Sequence, residues 1–523
     1  MANKALFQST RGKLAPVADA VNEAGGKAYK LNPEHALACY AATGCLTPTF
    51  YASAETQLDT VLHLCWLVEA EFVAKAAIYA RERAVMKDLP ALLAAVLSIR
   101  SADLLRKVFP RVVDSPKMLR NFVQIVRSGA AGRKSLGTVP KGLILRWLEE
   151  KSDEQLFFGS VGNDPSMADV LKMVHPKPAT KSREALYGWL LGKAVKNEEL
   201  PPAVQAFERY KADPKTEPVP DVPFQMLTAL SLSRGDWAEI ACRASWQTTR
   251  MNLNTFARHG VFEVPEMTEL IASRLRDPEK VVKARVMPYQ LLMAFTAARA
   301  DLPVPLVEAL QDAMEVAIRN VPRVEGKVYI FPDISGSMHS PLTGARKGST
   351  TAVRCIDIAA LVAAAILRKN PDAEVIPFES DVVITRLNPR DSVMTNAQKL
   401  ASLPAGGTNC SAPLRHLNER KHKGDLIVYV SDNESWVDTS HYGRFGGSAT
   451  ETMRQWEAFK QRSPEARMVC IDVQPYGTVQ AKERDDIVNV GGFSDQVFQV
   501  IADVAAGRTT AGAWVREIEA VEL

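Results

Sequence analysis

Histidine and cysteine are scarce in this 523-residue chain, and neither is spaced for chemistry. The eight histidines contain no H-x-x-x-H pair, and the seven cysteines are odd in number and contain no C-x-x-C pair. That argues against a zinc or disulfide framework and reads as buried thiols in a reducing compartment. No apolar run approaches the roughly 18–20 residues that cross a bilayer, so no membrane partner is expected. The N-terminal stretch MANKALFQSTRGKLAP lacks the apolar centre of a secretory signal, and the expected location is the cytoplasm. The G-x-S-x-G elbow of an α/β-hydrolase serine is also missing.

The length calls for two or more domains. Apolar residues make up 46% and charged residues 24%, an ordinary globular balance. Net charge is only +4, but it is uneven. Residues 101–150 alone hold 10 basic and 4 acidic side chains. A local patch of this kind suits an anionic partner that touches one surface.

Two halves differ in hydrophobic period, with an expected boundary at 1–322 and 323–523. In the first, Leu58, Leu62, Cys65 and Val68, then Phe72, Ala76 and Tyr79, recur at helical spacing. Breakers at Leu89-Pro90, Phe109-Pro110, Ser115-Pro116 and Gly129 separate helices such as PALLAAVLSIR and SPKMLRNFVQIVRS, with no convincing strand. So many short helices exceed one bundle core, and stacked pairs of the HEAT or armadillo kind are the physical solution. From VYIF onward, apolar strands alternate with helices: AVRCIDIAALVAAAILRKN, an AEVIPFES–VVITRL hairpin, DLIVYVS, TMRQWEAFKQR, RMVCIDV and SDQVFQVIADVA. This predicts a doubly wound α/β domain whose ligand site lies at the carboxyl ends of the strands.

At that edge VYIFPDISGSM delivers Asp333, Ser335 and Ser337, AGGTNCSAP delivers Thr408, and YVSDNES delivers Asp432. Two carboxylates and three hydroxyls form an all-oxygen set suited to one hard divalent cation, Mg²⁺ first, with Mn²⁺ and Ca²⁺ as the other candidates. Water would complete the shell, leaving a position for a partner's carboxylate or phosphate. A helix-capping turn is the plain alternative. A phosphohydrolase with Asp333 as nucleophile wants an acid two residues on, where Ser335 stands.

The set D-x-S-x-S, G-G-T and a strand ending in S-D resembles the von Willebrand factor A domain with its metal-ion-dependent adhesion site, over about residues 325–510. The resemblance implies that Ser335 and Ser337 contact the metal directly. It implies that Thr408, Asp333 and Asp432 bind it directly or through water, and that the domain binds ligands without being an enzyme.

In the helical half, Arg127, Arg133, Lys134, Lys141 and Arg146 occupy a glycine-bearing loop and its flanking helices. A solvated face is the plain reading; phosphate neutralisation, salt-dependent and sequence-tolerant, is the functional one. His175, Lys177, Lys181 and Arg183 cluster around two prolines, and Arg250, Arg258, Lys283 and Arg285 stand at helix ends.

The stretches YARERAVMKDLPALLAAVLSI, GRKSLGTVPKGLILRWL, D-x-L-x-x-x-H-P-K-P, M-N-L-N-T-F-A-R-H-G and K-A-R-x-x-P-Y, ahead of a von Willebrand A domain, resemble the TROVE module of the Ro autoantigen family, and its bacterial members in particular. The resemblance implies a HEAT-like helical repeat ring bridged by the von Willebrand A domain. The hole takes single-stranded 3′ ends of misfolded non-coding RNA, and the outer surface holds small Y RNAs. Bacterial relatives are linked to exoribonucleases. His175 with Lys177 stands where a family histidine helps hold Y RNA, but no Lys or Arg lies between Lys151 and Lys172, where the family has basic residues. The leading expectation is a monomeric, non-enzymatic RNA-binding protein of RNA quality control. A metal-dependent protein-interaction scaffold that binds no RNA is the alternative, and a metal-dependent nuclease ranks third.

Overall fold

The structure, a computed structural model, describes residues 15–43, 53–162, 165–284, 286, 288–298, 302–319, 321, 323–342, 353–436, 449–474, 476–492, 495–508 and 512–523. The chain forms two compact units. One holds residues 68–280, 298–309 and 521–523; the other holds 1–67, 281–297 and 310–520. The division expected at 322 is therefore not the one that packing makes. The described part of the first 67 residues sides with the C-terminal domain.

Between 68 and 280 the described residues are helices and loops. Ala70–Glu82 packs on Asp88–Arg100 and on Ala102–Val112, and Asp88–Arg100 packs in turn on Pro116–Ser128. Ala70–Glu82 and Asp88–Arg100 thus each meet their first and second neighbours along the chain. Asp88–Arg100 is apolar all round, and every residue from Leu89 to Leu97 is buried, which is why it sits centrally. Pro116–Ser128 shows its limits in sequence. Ser115 accepts the Met118 amide, Pro116 opens the first turn, and Gly129 closes the helix at φ 86°. Its Met118, Leu119, Phe122, Val123 and Val126 are buried, and Arg127 stays outside. Pro110, expected between helices, lies inside the last turn of Ala102–Val112.

The other unit carries a parallel sheet and a small antiparallel ribbon. Strands β1 (Ala20–Val21) and β2 (Lys27–Lys30) form a hairpin near the N-terminus. The C-terminal domain supplies β3 (Val328–Pro332), β4 (Glu374–Val375), β5 (Leu426–Ser431), β6 (Arg467–Asp472), β7 (Thr478–Val479) and β8 (Ile487–Gly491). The main sheet runs β4-β3-β5-β6-β8, parallel throughout. β3, β5 and β8 are buried along their whole length, as continuous apolar runs predict. The chain leaves β3 for β4 on one side and returns to β5 on the other. The loops after β3 and β5 therefore part and open a crevice at the carboxyl edge.

Two expectations are corrected. The AEVIPFES–VVITRL hairpin shrinks to the two residues of β4 and single bridges at Phe378, because Pro377 has no N–H to carry a ladder onward. The first half also contains strands. β1 pairs with β2, and β2 pairs antiparallel with β7, Tyr29 facing Val479. The helix Pro33–Thr43 then packs on β8. Gly491 and Gly492 admit it, since a Cβ on either would crowd the backbone of Cys39 or Ala42. His35 is buried there, 2.7 Å from the Glu483 carboxylate and 3.1 Å from the Asn489 carbonyl.

Candidate metal centre and basic grooves

Asp333 leaves the end of β3 with its amide bonded to the Val430 carbonyl at 2.9 Å. The adjacent strand thus sets its position. Its Oδ1 accepts the Ser335 amide at 2.8 Å, and its Oδ2 accepts the Ser431 hydroxyl at 2.6 Å. Ser335 Oγ and Ser337 Oγ lie 3.2 Å apart. Backbone bonds knit the three loops together: Gly336 N to Gly406 O at 2.9 Å and Trp436 N to Thr408 O at 3.2 Å. Asp333, Ser335, Ser337, Thr408 and Asp432 are all buried. All five expected ligands therefore sit on three joined loops at the crevice, Thr408 placed there by its loop.

The electrostatics of this pocket call for positive charge. Burial, and the Asp432 carboxylate beside it, push Asp333 up to about 7, against the Ser335 and Ser431 hydrogen bonds. Burial also raises Asp432, with the Ser337 hydroxyl acting in the opposite direction. Asp432 Oδ2 is buried with no hydrogen-bond partner among the described residues. Among the described residues no basic side chain contributes to either shift. Two buried acids without a counter-charge are costly, and a divalent cation is the natural compensation. The donor set fits a hard cation that keeps water ligands: two carboxylates, two adjoining serine hydroxyls and a third hydroxyl loop. Among the described residues no three His, Cys, Asp or Glu side chains gather as metal ligands, so a cation here would draw the rest of its shell from hydroxyls and water.

Glu434, two residues past Asp432, was not foreseen. Burial and the Asp432 charge push it up to about 8, and its Oε1 also has no partner among the described residues. Asp472, at the end of β6, is raised well above the usual carboxylate range by burial and by Glu434 and Asp432. The acid in Y-V-S-D-N-E-S was legible as a residue; its burial was not.

The basic residues sort into two grooves and several struts. Arg127, Lys134 and Lys141 line a groove of about 710 Å³ that also reaches Met173. The helix Thr138–Glu150 starts in it, with Gly137 at φ 72°. Arg127 Nη1 lies 3.2 Å from Met173 Sδ. A second groove, of about 860 Å³, is lined by His175 and Lys181 together with Lys172, Lys193 and Lys196, which sequence reasoning passed over. Glu184 and Glu199 line it too. The helix Met167–Val174 contributes to both grooves. His175 caps that helix in the left-handed region at φ 51° and is exposed, so it is not a packed helix end. Lys177, Arg146 and Arg258 are exposed but line neither groove.

Arg133 and Arg183 are committed to structure. Arg133 donates to the Ser98 carbonyl at 3.0 Å and the Ser135 carbonyl at 2.9 Å. Arg183 pairs with Asp153 and donates to the Leu148 and Lys151 carbonyls. Arg285 lies outside the described residues. Breaking the Arg183–Asp153 pair leaves a half-buried acid, so Arg183→Ala is expected to cost about 3 kcal/mol. Thermal melting would show the loss, while RNA affinity corrected for folded fraction stays unchanged.

A parallel sheet ordered β4-β3-β5-β6-β8, with D-x-S-x-S, G-G-T and S-D loops at its carboxyl edge, defines the class: a von Willebrand A domain joined to a helical array. Residues 327–505 match the family described as the Ro60 vWA domain. The RNA-binding protein RO60 of Deinococcus radiodurans is 26% identical over 93% of this chain and 95% of its own length. That of Caenorhabditis elegans is 22% identical over 46% of this chain and 36% of its own. The crystal structure of the Deinococcus radiodurans RO (RSR) protein superposes with a TM-score of 0.62 at 20% identity, covering 91% of this chain and all of that one. Residues 327–505 thus match the Ro60 type of von Willebrand A domain, most of the chain is similar in sequence to the Deinococcus RO60 protein, and the fold is that of the Deinococcus RO (RSR) protein.

Proposed function

We propose that this chain is a non-enzymatic RNA-binding protein of the Ro type. It holds small structured, Y-like RNA on a basic surface and takes single-stranded 3′ ends of misfolded RNA. It serves RNA quality control or processing with an exoribonuclease, as a cytoplasmic monomer. The observation that carries the reading is the pair of basic grooves beside the helix Met167–Val174, with Arg127, Lys134 and Lys141 on one side and His175 and Lys181 on the other. Their cations belong to several helices and loops, as backbone-directed binding of a folded RNA requires. The names of the Deinococcus and Caenorhabditis relatives support RNA as the partner. With no family-type basic residues between Lys151 and Lys172, Lys172, Lys193 and Lys196 are the natural substitutes.

In this reading Asp333, Ser335, Ser337, Thr408 and Asp432 would hold one Mg²⁺, whose positive charge would bind an oxygen ligand of a partner. Asp432 Oδ2, buried and unpartnered, supports that assignment. Ser335, where a phosphohydrolase would carry an acid, supports binding over catalysis.

Filter binding tests the RNA reading. A structured RNA with a single-stranded 3′ tail is expected to bind more tightly than its blunt counterpart, and binding of both should weaken as salt rises. Equal, weak and salt-insensitive binding of the two would overturn the proposal and favour the protein-scaffold alternative.

A further inference from the structure

The loops of the metal site are held by more than the domain that contributes them. The turn between β1 and β2, residues 22–26, packs on the segment that follows Asp432. Asn22 is buried. Its Nδ2 donates to the Ser435 carbonyl at 2.9 Å, and its Oδ1 accepts the Gly26 amide at 2.6 Å. One side chain therefore shapes its own turn and grips the partner loop. The Ala24 amide donates to Glu434 Oε2 at 3.2 Å. Gly26 lies so close that a Cβ would overlap the Ser435 carbonyl oxygen.

Residues 434–436 are in turn bonded to the other parts of the site. The Glu434 amide donates to Asp432 Oδ1 at 3.3 Å. Ser435 Oγ accepts the Cys410 amide at 3.3 Å, two residues beyond Thr408. Trp436 N donates to the Thr408 carbonyl. Asn433 adopts φ 61°, a left-handed bend that asparagine tolerates and that turns the chain sharply here. The turn thus braces the stretch that touches both Asp432 and the Thr408 loop.

We propose that the N-terminal turn is a positioning element of the metal site, with Asn22 its principal residue. It keeps Asp432 and Thr408 at the separation a cation needs, so cation binding and docking of the turn strengthen each other. The inference rests on the metal reading above and extends the site to a segment more than 400 residues away in sequence. By reciprocity, whatever the docked turn adds to Mg²⁺ affinity, Mg²⁺ adds to docking.

The test uses the full chain and Mg²⁺ alone. Calorimetry should show Asn22→Ala and Gly26→Ala binding Mg²⁺ about tenfold more weakly than the unaltered chain, within the usual range of coupling between sites. Hydrogen exchange on the unaltered chain should show the amides of residues 22–26 slowed about fivefold or more by saturating Mg²⁺. Plain packing of the turn would not respond to the metal. If either variant fails to fold, the exchange measurement decides. Unaltered Mg²⁺ affinity in the variants, or exchange at 22–26 indifferent to Mg²⁺, overturns the inference and leaves the metal reading standing. No Mg²⁺ binding by the unaltered chain overturns both.

Discussion

Asp333→Ala combined with Ser335→Ala is expected to abolish Mg²⁺ binding, so that calorimetry shows no heat of association where the unaltered chain saturates. The double change removes a carboxylate, which also orients its own loop through the Ser335 amide, and the hydroxyl 3.2 Å from Ser337 Oγ. Asp432 alone then remains as an anionic donor. Melting should report the same loss. Mg²⁺ at a hundred times its dissociation constant stabilises a one-site protein by about 2.7 kcal/mol, and the variant should show none of it. Asp333→Asn is the finer probe. In EDTA at pH 8 it should melt no lower than the unaltered chain, because the asparagine relieves repulsion between two buried acids. It should still gain nothing from Mg²⁺. Unchanged metal affinity in the double variant would refute the assignment.

The pH dependence has a definite sign. Asp333 is raised from an ordinary 3.8 to about 7 in the folded, metal-free chain. Between those values the folded chain holds a proton that the unfolded chain has released. Its contribution to metal-free stability is therefore full below about pH 4 and falls as pH rises towards 7. Mg²⁺ must displace that proton below pH 7. Affinity should drop by up to about tenfold per pH unit there and level off above it. Calorimetry at pH 6, 7 and 8 checks this.

Lys134→Glu with Lys141→Glu is expected to cut affinity for a structured RNA by about 10- to 100-fold at low salt. Each phosphate that the variant no longer neutralises should flatten the dependence of log K on log salt by about 0.7–0.9. Both lysines line one groove with Arg127, so reversing two charges turns an attractive surface repulsive. Arg133, next to Lys134 in the basic cluster, should behave differently. Its guanidinium is bonded to the Ser98 and Ser135 carbonyls, so Arg133→Ala should loosen the loop and lower the melting temperature. RNA affinity untouched by the double reversal would favour the protein-scaffold reading.

The contrast between Lys134 and Arg133 shows where sequence reading stops. Both are basic, one residue apart, and equally visible as charge. Only packing assigns one to a groove and the other to backbone carbonyls. The same holds for Arg183, grouped with His175 in sequence but paired with Asp153 in the fold. Lys172, Lys193 and Lys196 were passed over for the converse reason: they come together around the groove only when the helix Met167–Val174 lies against Lys181–Leu190.

By itself the sequence determined the helical character of residues 68–280, the parallel α/β domain, and five oxygen-bearing residues at the ends of its strands and loops. These follow from local rules: helical period, continuous apolar runs, caps, and the crevice that opens where strand order reverses. Tertiary structure alone decided that the N-terminal segment joins the C-terminal domain. β1 and β2 are too short to announce themselves, and they exist as a ribbon because β7, nearly 450 residues onward, completes it. The buried Asp432 Oδ2, without a partner among the described residues, and the grip of Asn22 on Ser435 were likewise invisible. Burial and hydrogen-bond partnership are properties of what surrounds a residue, and here the surroundings come from the other end of the chain.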